Sequence, residues 1–158
     1  MKKWTVIIIL FTFFSFSQTI DKAIKYKVAM IQKCVKQGID GETFFWQSKG
    51  KITFSIVNYT NEQNQIFRDL FIKQYKEIAP IYDLMNKTEQ ESDTTLFIKI
   101  LIQQEEEYRN LLRTDQLKLY LDKMTVLERT NPVEFDSYTA LFFSEKLLKN
   151  FKQAFSIK

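Results

Sequence analysis

The densest group of residues that could do chemistry is the acidic run Glu105-Glu106-Glu107. Carboxylates can bind metal ions, and they can act as general acids and bases. Consecutive residues of a helix point in different directions, so three adjacent glutamates cannot converge on one ion. We therefore predict that the run is solvated helix surface. No other pair of carboxylates is marked by its setting as the pair that a hydrolase would need.

The residue types that most catalytic sites use are missing from this chain. It has no histidine, which is the commonest general base and a common metal ligand. This excludes a Ser–His or Cys–His nucleophile and most zinc or di-iron sites. The three glycines, Gly38, Gly41 and Gly50, have no spacing that could form a phosphate-binding loop. We expect no enzyme activity, no metal and no cofactor.

The first seventeen residues have the order of a secretory signal peptide. A basic start, Met1-Lys2-Lys3, precedes a stretch over 4–16 that is apolar apart from Thr and Ser. The stretch ends in the small-x-small pattern Ser15-Phe16-Ser17. It is shorter than the roughly 20 residues that a membrane span needs. We predict a cleaved leader, 1–17, and one exported domain, 18–158, that is periplasmic or secreted and has no stable membrane span after cleavage.

Cysteine content and charge narrow the class further. Cys34 is the only cysteine and lies too far beyond the apolar stretch to carry a lipid, so a lipoprotein is not expected. It is either a free thiol or the site of an intermolecular disulfide. Without Lys2 and Lys3, 21 basic residues face 19 acidic ones, a net charge of +2. A nucleic-acid binder would normally be more basic and more patterned, so we expect a protein partner.

The periodicity of apolar residues predicts an all-α single domain of four to five amphipathic helices, packed as a hairpin or bundle. Thr60 and Gln63 form a capping-box start, and Asn131-Pro132 is a second strong start signal. The segment 42–59 is ambiguous because Ile52, Phe54 and Ile56 alternate with less apolar residues as in a strand. We interpret it as a loop followed by helix, with a short strand near 51–57 as the alternative. The predicted helices cover 20–37, 61–87, 94–112, 115–129 and 131–155.

Two surface features could contact a partner. One side of the first predicted helix carries a stripe of four lysines, which is either a solvated face or an electrostatic contact surface. A dense aromatic cluster follows, which either packs in the core or contacts a client or lipid. The candidate client or partner surface comprises Lys22, Lys25, Lys33, Lys36, Phe44, Phe45 and Trp46.

The segment 105–124, EEEYRNLLRTDQLKLYLDKM, resembles the helical periplasmic proteins that carry an LTxxQ motif, the Spy/CpxP-like group. Leu112 and Gln116 stand at the Leu and Gln positions of the motif. Arg113 stands at the Thr position, and Thr114 follows one residue later. The resemblance implies a curved, often dimeric helical cradle that binds unfolded or partner proteins in the periplasm without ATP.

The sequence therefore predicts an exported, non-enzymatic, helical protein-binding module that acts as an ATP-independent chaperone or an envelope-stress adaptor. The resemblance adds a homodimer as an expectation. Three alternatives stay open. They are an inhibitor or immunity-type protein with one folded partner, a structural envelope protein, and a hydrolase that uses two carboxylates.

Overall fold

A computed structural model describes the backbone of residues 3–157 and the side chains of residues 17–157. The described chain is all-α and has no strand, so the predicted fold class is confirmed. The backbone of the predicted leader from Lys3 onward belongs to the first helix, while its side chains before Ser17 lie outside the described residues. The seven α-helices are α1 (Lys3–Lys36), α2 (Gly41–Ile56), α3 (Asn61–Thr88), α4 (Glu91–Leu111), α5 (Thr114–Thr130), α6 (Pro132–Thr139) and α7 (Glu145–Ala154), with a 3-10 turn at Gly38–Asp40.

The core consists of two apolar clusters that meet at Phe142 and Phe143. The first cluster lies between α1, α3, α4 and α7 and includes Phe143. The second lies between α3, α4 and α5 and is mostly aromatic, with Phe142 at its centre. The Phe142 ring centroid is 4.9 Å from that of Tyr108 and 5.9 Å from that of Tyr120. Adjacent residues of one short connector thus join the two halves of the core.

The helix α3 begins where the sequence predicts. The backbone N–H of Gln63 donates to Thr60 Oγ1 at 3.3 Å, and the backbone N–H of Thr60 donates to Gln63 Oε1 at 3.4 Å. These two bonds are the capping box, which satisfies two backbone donors that the first turn leaves free. The helix then continues through Pro80 to Thr88.

The segment 51–57 is not a strand, because α2 covers it as far as Ile56. The buried side of α2 follows a four-residue spacing: Gly41, Phe45, Lys49 and Thr53. Only one of these four is a large apolar residue. The pattern of apolar residues therefore does not reveal the helical period of the buried side. The exposed and half-buried residues produce the strand-like alternation instead.

The single last helix predicted over 131–155 is wrong: the structure has α6 and α7, separated by the connector 140–144. The Asn131 side chain caps α6, as the sequence predicts, by accepting from the backbone N–H of Glu134 at 3.2 Å. Ser144 caps α7 by accepting from the backbone N–H of Leu147 at 3.1 Å. The connector leaves the helical path because polar side chains of the core bind its backbone groups.

Two glycines of α2 provide a matched test of packing. A Cβ at Gly41 would overlap the Cys34 carbonyl oxygen and lie 2.5 Å from the Tyr75 hydroxyl, whereas a Cβ at Gly50 would meet nothing within 4 Å. We expect Gly41→Ala to lower the free energy of unfolding by about 2 kcal/mol through overpacking. We expect Gly50→Ala to raise it by about 0.5–1 kcal/mol, because alanine favours a helix interior. Urea unfolding of both variants measures the difference, and equal effects would contradict this packing.

Candidate protein-binding surface

The lysine stripe lies on the outer side of α1, and its four members differ in their contacts. Lys22 Nζ is 2.7 Å from the Asp136 carboxylate of α6, so this lysine ties α1 to a neighbouring helix. Lys25 and Lys36 are exposed and form no ion pair with any residue that the structure describes. Lys33 Nζ lies 4.8 Å from the centroid of the Phe44 ring. Three of the four lysines therefore remain accessible to a partner.

The aromatic triplet Phe44-Phe45-Trp46 does not form one surface. Phe45 is 2% exposed and packs in the first core cluster. Phe44 and Trp46 are half-buried and lie about 160° apart around α2, since two residues advance a helix by about 200°. Each is covered by a cation: Lys33 over Phe44, and Arg68 over Trp46, with Cζ 5.1 Å from the ring centroid. The structure thus places the two aromatic residues on different surfaces.

The turn between α1 and α2 carries an apolar side chain that the sequence analysis did not single out. Ile39 is 99% exposed. Gly38 sits before it with a φ of +58°, a left-handed conformation that favours glycine. The adjoining end of α1 supplies Lys33 and Lys36, and Phe44 follows in the first turns of α2. We call these four residues, Lys33, Lys36, Ile39 and Phe44, the basic corner.

The residues of the LTxxQ-like stretch form an internal joint between α4 and α5. Leu112 directly follows the last residue of α4 and is buried in the second core cluster. Gln116 is buried; its Oε1 accepts from the backbone N–H of Arg113 at 3.1 Å, and its Nε2 donates to Asn58 O at 2.9 Å. Thr114 is the exposed first residue of α5. Because an arginine side chain has no acceptor, Arg113 cannot supply the other half of a capping box.

A buried polar network surrounds the connector 140–144, and sequence analysis missed its central residue. Glu105 is 2% exposed, although the run 105–107 was predicted to be solvated. Its carboxylate accepts from Arg109 Nε at 2.7 Å and from the backbone N–H of Phe143 at 3.2 Å. The Tyr120 hydroxyl lies 2.7 Å from Glu105 Oε1 and 2.9 Å from Phe143 O, so its single hydrogen serves one of them at a time. Arg109 Nη2 also donates to Phe143 O, at 2.9 Å.

Two buried lysines lie in or next to this network. Lys27 Nζ donates to Phe142 O at 2.7 Å and sits 3.6 Å from the centroid of the Phe143 ring. Burial lowers the pKa of Lys27 to about 7. Lys49 Nζ donates to Gln74 Oε1 at 2.7 Å, and burial lowers its pKa to about 8. Desolvation disfavours the charged amine at both positions.

The network explains how the connector is held. Lys27, Glu105 and Arg109 together bind both backbone groups of Phe143 and the carbonyl of Phe142.

The sequence does contain signals for these three residues. Glu105 and Arg109 have the four-residue spacing of an ion pair within a helix. Lys27 lies only about 40° from the apolar side of α1 and away from the lysine stripe.

An open groove of about 740 Å³ lies between α5 and α7. It is lined by polar and charged residues: Thr125, Glu128, Arg129, Ser144, Glu145, Lys146 and Lys149. Glu128 forms an ion pair with Lys146, whose Nζ lies 2.9 Å from the Glu128 carboxylate. Among the residues that the structure describes, no group of three or more acidic or cysteine side chains is arranged to hold a metal ion. Nor does any described helix combine the length and apolarity required to cross a bilayer.

Comparison of the chain with protein-family models, with curated protein sequences and with solved structures finds no match. The candidate surfaces therefore rest on the geometry of this chain alone.

Proposed function

We propose that the chain is an exported, non-enzymatic helical module that binds unfolded or partner proteins, in the manner of an ATP-independent chaperone or an envelope-stress adaptor. The observation that carries the proposal is the basic corner. There, the fully exposed Ile39 lies in the turn that directly follows the end of α1, and that end of α1 carries the exposed Lys33 and Lys36. The signal-peptide order of residues 1–17 supports export, and the basic corner supports binding.

Such a corner suits an unfolded acidic chain. Unfolded proteins expose apolar side chains that would gain by covering Ile39, which is worth about 1–3 kcal/mol if its side chain becomes fully buried. Carboxylates of the client would be attracted to Lys33 and Lys36, and exposed charges are screened by salt. Binding should therefore combine an apolar part that tolerates salt with an electrostatic part that does not.

A binding assay with matched variants tests this proposal. The probe is fluorescently labelled, reduced and carboxymethylated α-lactalbumin, a permanently unfolded acidic chain, measured by anisotropy. We expect Ile39→Ser to weaken binding about tenfold, which corresponds to about 1.4 kcal/mol. The control is Val133→Ser, because Val133 is 80% exposed on α6, away from the basic corner, and its loss should leave the affinity unchanged.

The lysines are tested through the salt dependence of the same binding. We expect the double variant Lys33→Gln/Lys36→Gln to bind more weakly at low salt and to lose most of the salt dependence. An equal loss of affinity in the Ile39→Ser and Val133→Ser variants would contradict the assignment of the basic corner.

The homodimer stays a separate prediction, which sedimentation equilibrium of the same samples tests.

A further inference from the structure

Neither packing nor backbone conformation in the folded chain requires a glycine at position 50. It lies in the interior of α2, and a Cβ at this position would meet nothing within 4 Å. Its backbone is not in the left-handed region that would favour glycine. A glycine in a helix interior costs roughly 1 kcal/mol relative to alanine. Glycine is also the residue that lets another molecule approach a backbone closely, which would explain why it stands here.

Aromatic side chains surround the open space at Gly50. Trp46 and Phe54 lie one helical turn before and after it, and Phe54 is 61% exposed. The Tyr59 ring packs edge-on against Phe54, with 5.4 Å between the centroids. The Tyr59 hydroxyl donates to Gly50 O at 3.4 Å. We call the four residues Trp46, Gly50, Phe54 and Tyr59 the Gly50 notch, where the helix backbone at Gly50 has no side chain over it and aromatic residues lie one turn to either side.

The charges around the Gly50 notch are positive. Arg68 covers the Trp46 ring, and the exposed Lys51 lies about 100° around α2 from Gly50 and three residues before Phe54, on a neighbouring line of the helix surface. Neither cation forms an ion pair with a residue in the described part of the chain. The nearest acidic residues of α3, Glu62 and Asp69, lie about 100–120° around the helix from Arg68. A carboxylate of a partner would thus find two cations that no carboxylate of the described chain neutralises.

We propose that the Gly50 notch is a docking site for an acidic amphipathic helix of a partner protein. An apolar side chain of that helix enters over Gly50 between Trp46 and Phe54, and its carboxylates pair with Arg68 and Lys51. Aromatic and arginine residues dominate the binding energy of protein interfaces, which fits the composition of this surface. The notch and the basic corner lie on different sides of α2, so this inference does not depend on the proposed client binding.

Tryptophan fluorescence tests the proposal at the site itself. The chain has two tryptophans, so the full chain with Trp4→Phe reports on Trp46 alone. The probe is a synthetic peptide of about 16 residues, long enough to form a helix, with leucines on one side and glutamates flanking them. We expect a saturable blue shift of the emission, weaker binding as salt rises, and no saturation with the peptide whose glutamates are replaced by lysines.

Gly50→Leu fills the notch and should weaken binding of the acidic peptide by about tenfold or more. Phe54→Ala removes one wall of the notch at an exposed position and provides a second variant in case Gly50→Leu does not fold. Ile39→Ser, in the basic corner, should leave peptide binding unchanged. Circular dichroism and the urea midpoint establish that each variant retains its fold.

Three results would overturn the proposal. The first is an absence of any shift with the acidic peptide. The second is equal binding by wild type and by both notch variants in their folded state. The third is a homodimer, seen by sedimentation equilibrium, that Gly50→Leu or Phe54→Ala dissociates, because the notch would then be an interface between two copies of this chain.

Discussion

Glu105→Ala is expected to lower the free energy of unfolding by about 3–5 kcal/mol, the largest effect of any single substitution proposed for this chain. The carboxylate accepts from Arg109 Nε, from the backbone N–H of Phe143 and, in part, from the Tyr120 hydroxyl. Its removal leaves a largely buried guanidinium without a counter-charge and a buried backbone donor without an acceptor. Urea denaturation measures the change as a lower midpoint with an unchanged slope.

The control for this prediction is the next residue in the chain. Glu106 is half-exposed and pairs with Lys152 on the surface of α7. Exposed ion pairs contribute about 0–1 kcal/mol, so Glu106→Ala should have little effect. If both variants lose the same stability, Glu105 does not hold the connector 140–144 in the way that the structure shows.

Stability is expected to rise by about 2–4 kcal/mol between pH 7 and pH 9. Burial lowers the pKa of Lys27 to about 7 and that of Lys49 to about 8, from an ordinary value of 10.5. In this window the unfolded chain binds more protons than the folded chain, so stability rises with pH, by about 1.4 kcal/mol per proton and pH unit. The negative charge of Glu105 acts on both amines, and that of Glu107 acts on Lys49. These carboxylates limit how far burial lowers the pKa of each lysine.

The rise of stability with pH ends near pH 9, because other buried groups make the folded chain less stable as the pH increases above that value. Burial raises the pKa of Cys34 to about 11 and raises those of Tyr108 and Tyr120 above 10. Lys27→Met should reduce the gain between pH 7 and pH 9 to about a third, since only Lys49, which has the higher pKa of the two, remains. Lys25→Met, at an exposed position of the same helix, should keep the full gain. A flat stability profile for the wild-type chain would show that the two buried amines do not titrate as described.

The sequence contained enough information for the fold class and for the helices whose buried side is apolar. The start of α3 was predicted from Thr60 and Gln63 because a capping box is a local signal that needs no tertiary partner. The start of α6 was predicted from Asn131-Pro132 for the same reason. Where the determinants lie within a few residues of each other, the sequence suffices.

The remaining elements depend on tertiary contacts. The sequence over 42–59 predicts a loop and a helix, with a strand as the alternative, because the buried positions of α2 include Lys49 and Thr53, residue types that are usually solvated. The break between α6 and α7 exists because Lys27, Glu105 and Arg109, which are distant in sequence, bind the backbone of Phe142 and Phe143. The spacing of Glu105 and Arg109 indicates a pair within one helix, but no local pattern shows that these side chains bind a backbone more than thirty positions away.

The candidate surface was predictable only in part. The amphipathic period of α1 indicated the lysine stripe, of which Lys25, Lys33 and Lys36 are accessible. The aromatic triplet indicated an apolar feature but not its division, because adjacent residues of a helix point in directions about 100° apart and only packing decides which one is buried. No sequence pattern marks Ile39 or Gly50 as part of a binding surface, since the exposure of Ile39 and the open space at Gly50 are properties of the folded chain.

The most direct test of the central claim, that this chain binds unfolded proteins, is an aggregation-suppression assay without nucleotide. The chain from Gln18 is mixed with two unrelated unfolding substrates at low and at moderate salt, and light scattering is followed. The account predicts that both substrates are protected and that an acidic substrate is protected less as salt rises. A folded, helical sample that protects neither substrate would contradict the claim.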